Sequence, residues 1–105
     1  MNEIDVIAAL GDPTRRQIFE FLSAHPSSVG DLAKKLPVTR SAVSQHLRVL
    51  KDAGLVSHRS AGTRNVYHID PEGLAKLRQY LDKLWETALD EFKAAAEQPV
   101  EGRSE

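Results

Sequence analysis

Ser44, His46 and Asp52 carry a hydroxyl, an imidazole and a carboxylate within one short stretch, the three groups that a hydrolase joins into a nucleophilic triad. Their spacing rules that chemistry out locally. The stretch around them has helical periodicity, and residues two apart on a helix point to different faces. The four histidines of the chain do not converge as metal ligands either. His25 falls in a loop, His46 borders an apolar stripe, and His58 and His68 belong to different rungs of a two-stranded ribbon. For His46 the expectation is a packed, hydrogen-bonded side chain that helps to set its helix. There is no cysteine, and no Gly-rich phosphate loop or other catalytic motif. No catalytic residue, metal site or cofactor is expected, and the chain does not read as an enzyme.

Another kind of chemistry is better supported. With Val43 at zero and roughly 100° per residue, Leu47 and Leu50 fall beside it and form an apolar stripe. Ser41, Ser44, Gln45, Arg48, Lys51 and Asp52 fall on one contiguous face between roughly 80° and 200°. Short hydroxyls, an amide and two cations are the side chains that donate to phosphates and read base edges in a major groove. The one carboxylate, Asp52, comes near the C-terminal end, where a docked helix has left the groove. Ser41, Ser44 and Gln45 lie in the N-terminal half, which a recognition helix directs at the bases.

Several elements must position that face. "NEIDVIAALG" predicts a short helix with Ile4, Ile7, Ala8 and Leu10 at helical spacing, ended by Gly11. "DPTRRQIFEFLSAH" predicts a second, capped by Asp12 and opened by Pro13, with Ile18, Phe19, Phe21 and Leu22 inward. Pro26 ends it. "SVGDLAKKLPV" predicts about two turns with Val29, Leu32, Ala33 and Leu36 inward. A link of three or four residues, "PVTR", then leads to the polar-faced helix, whose cap is Thr39 or Ser41. Past Gly54 the period becomes near-alternating, and "LVSHRS", "AGT" and "RNVYHID" predict a β-hairpin over about 55–69 with its tip near Ala61 and Gly62. Asp70 and Pro71 open a long last helix with Leu74, Leu77, Leu81, Leu84 and Ala88 at spacings of three and four. The fold class is mainly α with a small β-hairpin, a winged helix-turn-helix in the order α1-α2-α3-α4-β1-β2-α5. It occupies 1–98 as one domain, followed by a disordered tail over 99–105.

The formal net charge of −1 hides a segregation. Residues 12 to 69 hold nine Lys/Arg against four Asp/Glu, residues 1 to 11 hold two acids and no base, and residues 70 to 105 hold five bases against nine acids. The basic excess therefore coincides with the polar-faced helix and its neighbours: Arg40 in the turn, Lys34 and Lys35 on the helix before, and Arg59 and Arg64 on the two hairpin strands. Guanidinium groups beside a ribbon tip are placed to reach an adjacent minor groove or its phosphates. An apolar share of 41% with 28% charged residues fits a soluble protein. No apolar run approaches a membrane span, and the acidic N-terminus is unlike a secretory signal. A cytoplasmic protein without a membrane role is the expectation.

"ALGDPTRRQIFEFL" followed by "VGDLAKKLPVTRSAVSQHLRVLKDAGLVSHRSAGTRNVYHID" resembles the small winged-helix repressors of the ArsR/SmtB type, from about residue 4 to 95. The family's "S-x-HL-x-x-L-x-x-AGLV" recognition helix is matched by Ser44, His46, Leu47, Leu50, Ala53, Gly54, Leu55 and Val56. Its wing ending is matched by Gly62, Arg64 and a slightly shifted Tyr67. The resemblance implies a dimeric transcriptional repressor that binds double-stranded DNA. It also implies where metal-sensing members carry ligands, and this chain lacks them. The helix before the recognition helix has no cysteine pair, and the last helix has carboxylates but no histidine, a poor set for zinc.

The last helix is also too apolar for one face, since Leu74, Tyr80, Trp85, Leu89 and Phe92 add to its stripe. One side would pack on its own domain. The other, with α1, suits a two-fold partner, and the candidate dimerisation residues are Ile4, Ile7, Leu10, Leu77, Leu81, Leu84, Trp85 and Ala88. The candidate DNA contacts are Arg40, Ser41, Ser44, Gln45, Arg48, Lys51, Arg59 and Arg64. Two alternatives stay open: control of DNA binding by an unknown small-molecule or protein inducer, with Trp85 and Tyr80 lining its pocket, and a protein-interaction module with no DNA role.

Overall fold

The computed structural model describes residues 3 to 97, with side chains from Asp5 onward. The expected tail over 99–105 and the side chain of Ile4 lie outside the described residues. The elements are α1 (Glu3–Gly11), α2 (Pro13–Ala24), α3 (Val29–Lys35), α4 (Arg40–Asp52), β1 (Val56–Ala61), β2 (Arg64–Ile69) and α5 (Pro71–Glu97).

Local chemistry explains the boundaries. The Asp12 carboxylate accepts from the Arg15 N–H at 2.9 Å, and Pro13 sits at the first helical position, where it has no N–H to leave unpaired. The α1 carbonyls left open at its C-terminus are taken by the next helix: Arg15 Nε donates to Ala9 O at 2.7 Å and Arg16 Nη1 to Leu10 O at 3.1 Å. Two of the basic residues are thus engaged in joining α1 to α2. Ser28 and Asp31 form a capping box at the start of α3. Thr39 caps α4 by accepting from Ala42 N–H at 3.1 Å, which settles the choice between Thr39 and Ser41. At the far end of α4 the Leu55 N–H reaches Leu50 O and the Gly54 N–H reaches Lys51 O. Gly54 adopts φ +82°, the left-handed geometry that this helix ending requires.

The core is formed by Val6, Ala9, Ile18, Leu22, Leu32, Val43, Leu47, Leu50, Ala53, Leu55 and Val56. In α1 the inward residues are Val6 and Ala9, with Leu10 half-buried, whereas Ile7 and Ala8 are exposed. That differs from the expected face. "VIAAL" is apolar all round over little more than one turn, so its periodicity does not select a side.

β1 and β2 pair antiparallel from Val56↔Ile69 to Ala61↔Arg64. The turn is therefore Gly62-Thr63, one residue later than the expected tip, with a positive φ of 66° at Gly62 alone, the pattern of a type II′ turn. The hairpin is fastened to the domain by an isolated bridge: Ser27 N–H donates to Tyr67 O at 3.0 Å and Tyr67 N–H to Ser27 O at 2.8 Å.

α5 leaves the domain. It is capped by Asp70, whose Oδ1 accepts from Glu72 N–H at 3.0 Å and whose Oδ2 accepts from the Ser57 hydroxyl at 3.1 Å. Its first turns pack through Gly73, Leu77 and Tyr80, and beyond Tyr80 every described side chain is exposed. The expected core-facing side of α5 is therefore confined to those first turns. The radius of gyration is 19.4 Å, against about 13 Å for a compact chain of this size.

Candidate nucleic-acid interface

α4 is held by three fully buried side chains, Val43, Leu47 and Leu50. This anchorage turns the opposite side outward: Arg40, Ser41, Ser44, Gln45, Arg48 and Lys51 are all exposed. The face predicted from a helical wheel is thus a real surface, and its first carboxylate is Asp52. Burial of the stripe, rather than any property of the polar residues, gives that surface its orientation.

The hairpin supplies a second surface. Paired residues share a face of a ribbon, and Arg59↔Val66 and Ala61↔Arg64 are two rungs apart, so Arg59 and Arg64 fall on one side near the tip. Both are exposed. Arg64 is not idle: its Nη2 donates to Asp31 Oδ2 at 3.4 Å, with both side chains about half exposed. An exposed pair of this kind is weak and screened by solvent, so a stronger anion can displace or share the guanidinium. The underside of the ribbon is packed, with the His58 and Tyr67 rings 5.1 Å apart.

The residues of the imagined triad do not meet. Ser44 and Asp52 are exposed, whereas His46 is half-buried and turned toward α2, its Nδ1 3.5 Å from Arg15 Nη1. A guanidinium can only donate, so Nδ1 is the acceptor there. Arg15 thus touches both the end of α1 and α4, and His46 is a structural link. Among the described residues no three His, Cys, Asp or Glu side chains are grouped to hold a metal ion.

Three carboxylates have lowered pKa values. Asp12 is lowered by the Arg15 N–H that it accepts, aided by the Arg15 charge. Asp31 is lowered by the Ser28 N–H and hydroxyl and by Arg64 and Lys34. For Asp70, desolvation pushes upward, but hydrogen bonds from Glu72 N–H, the Ser57 hydroxyl and Gly73 N–H outweigh it.

Sequence reasoning missed four contributors: Asp31, Arg15, Ser27 and Gly73. A signal for the first was present, since "SVGD" has the Ser-x-x-acid spacing of a capping box. The Ser27 bridge and the Arg15–His46 contact join residues 40 and 31 positions apart, and no local pattern announces them. Gly73 lies where α5 crosses the α4–β1 turn: a Cβ there would collide with the Gly54 carbonyl.

A concavity of about 630 Å³ lies between the start of α5, Val6 of α1 and the Ala53-Gly54 turn. Leu77, Tyr80, Leu84, Lys76 and Lys83 line it. Tyr80 lines this groove, while Trp85 is not among the lining residues.

A short helix, a tight turn, a core-anchored polar-faced helix and a fastened β-hairpin define a winged helix-turn-helix protein. Comparison with known proteins gives the family. Residues 12–58 match the model of the bacterial regulatory protein, arsR family. The chain is 60% identical over 81 residues to the HTH-type transcriptional regulator Rv2034 of Mycobacterium tuberculosis, covering 77% of this chain and 76% of that one. It is 32% identical over 66 residues to the transcriptional repressor SdpR of Bacillus subtilis, covering 63% and 73%. Among solved structures it superposes on a homodimeric winged helix-turn-helix DNA-binding domain from Mycobacterium bovis, a possible ArsR-family regulator. The TM-score is 0.66 and the identity 30%, over 84% of this chain and 82% of that chain. The chain belongs to the ArsR family: it is a transcriptional regulator and not an enzyme. Among the described residues no helix is long and apolar enough to cross a membrane.

Proposed function

We propose that the protein is a homodimeric repressor that binds a pseudo-palindromic operator in its own or a neighbouring operon and acts in the cytoplasm. The observation that carries this reading is the exposed face of α4, cationic and hydroxyl-rich and free of carboxylates from Arg40 to Lys51. One recognition helix per subunit enters the major groove, and half-sites lie about 10 base pairs, or a small multiple, apart. Gln45 and Ser44 contact bases. Ser41, Arg40, Arg48 and Lys51 reach bases or phosphates, and Arg59 and Arg64 serve the wing.

The dimer is formed by α1 and α5. Ile7, Leu81, Leu84, Trp85 and Ala88 are exposed in the single chain and find cover in the partner, whereas Leu10 and Leu77 are half-buried against their own core and border that interface. On this reading the domain is 1–98, with α1 and α5 as its dimerisation helices. The test is selection of bound fragments from genomic DNA, followed by gel shifts on the recovered operator at several salt concentrations. Binding with no preference over random DNA would remove the operator, and absence of binding would leave a protein-interaction module.

A ligand-responsive version of the same reading is favoured by the 630 Å³ groove. It joins α5 to the turn that ends the recognition helix, so an apolar or anionic small molecule seated there would act on the dimer and the DNA-binding helix together. A protein inducer docking on α5 would act in the same way.

A further inference from the structure

A smaller cleft of about 350 Å³ opens where α3, the first turn of α4 and the hairpin tip meet. Lys34, Arg40 and Arg64 converge on it against one carboxylate, Asp31. One of the three cations is paired, and another lies against α3: the Arg40 guanidinium sits beside Gly30, with Nη1 3.5 Å from the place a Cβ would take. Arg64 is tethered through Nη2 to Asp31 at 3.4 Å, which engages one group of a five-donor fork and leaves the others available. Asp31 is fixed in turn by the Ser28 N–H at 3.3 Å and by its own N–H to Ser28 Oγ at 3.1 Å. Two guanidinium groups and an ammonium lining one cleft, with a net positive charge, suit a tetrahedral oxyanion.

The position of the cleft says which oxyanion. It separates α4, the element for the major groove, from the hairpin, the element for the adjacent minor groove. On a duplex, the boundary between those two grooves is a sugar-phosphate strand. We propose that this cleft is a phosphate site that seats one backbone phosphate per half-site at the junction of helix-turn-helix and wing. Lys34 and Arg40 are donors, and Asp31 is the positioning residue that aims Arg64. The choice of DNA as the source rests on the function proposed above. A free phosphate group has the same chemistry, so the test has two arms.

In the first arm, the wild-type protein, Lys34→Gln and Lys35→Gln are compared on the operator. Lys35 is the exposed neighbour on the same helix, outside the cleft. Lys34→Gln should lower the slope of log K against log salt by about 0.9 and erase one ethylation-interference position per half-site. Lys35→Gln should keep that position. In the second arm, the DNA-free protein is melted with increasing inorganic phosphate at constant ionic strength. A rise in Tm that is lost in Lys34→Gln supports the site with a free phosphate as its occupant, even if the first arm shows no change. Equal behaviour of the two lysine variants on DNA, together with no phosphate-dependent rise, overturns the proposal. If the wild type binds no DNA, the operator reading fails and the phosphate arm alone decides this one.

Discussion

His46 stands out as a chemical group, and Ser44 and Gln45 look ordinary; the surroundings assign their roles the other way. His46 spends its ring on Arg15, while its two neighbours face outward. Gln45→Ala should therefore change preference at one base pair per half-site, by about 1–3 kcal/mol. Arg64→Ala should weaken operator and random DNA alike and flatten the salt dependence. Competitive gel shifts separate the two, and an equal loss on both DNAs for Gln45→Ala would remove it from the base contacts. The carboxylates predict the response to acid. Asp12, Asp31 and Asp70 all have folded pKa values below the ordinary 3.8, so the unfolded chain binds protons first as pH falls. Their contribution is fully present above that value and is lost as pH drops through the folded values. Tm should be steady near pH 6, should decline below about pH 4, and should decline less in Asp31→Asn, whose amide oxygen can still accept the Ser28 N–H. The outward face of α4 was legible because one helix makes it from side chains on one wheel. The Asp31–Arg64 pair was not, because it depends on how the ribbon twists back over α3.

The capped helices and the hairpin followed from punctuation by Asp12, Pro13, Pro26, Gly54, Gly62 and Pro71, since each acts locally: the prolines fix φ, the glycines reach positive φ and Asp12 caps a helix. Which side of α1 is buried did not follow, because Val6, Ile7, Ala8 and Ala9 are all apolar and only the neighbouring helices choose among them. The departure of α5 depends on one close approach. A methyl group at Gly73 would strike the Gly54 carbonyl, so either α5 swings outward or the turn behind α4 shifts. Gly73→Ala should lower stability by about 1–3 kcal/mol despite its better helix propensity, read as a drop in the urea midpoint. Leu47, fully buried in the middle of α4, gives the reference case: Leu47→Ala should cost about 2–5 kcal/mol. A Gly73→Ala protein as stable as wild type would mean that the crossing is looser than described.

At the scale of the molecule, the apolar excess of α5 was legible as a demand for a second buried side, but a single chain does not say who meets it. Trp85 is 65% and Phe92 72% exposed, values that suit neither a monomer core nor an ordinary solvent face. In the proposed dimer, Trp85→Glu should weaken association by about 2 kcal/mol or more. Sedimentation should show the equilibrium moved toward monomer, with operator affinity falling in step because both half-sites no longer bind together. An unchanged dimer would place the interface elsewhere.

The length of α5 beyond Tyr80 links abundance to survival. Helices draw most of their stability from packing an apolar face, and this part packs on nothing in the single chain. A subunit dissociated from the proposed dimer should therefore fray there and offer unfolded chain to proteases, while an assembled one should not. Its melting temperature should rise with protein concentration. Dilution would then clear the protein as well as empty its operator, making each regulator molecule's lifetime a function of how many copies surround it.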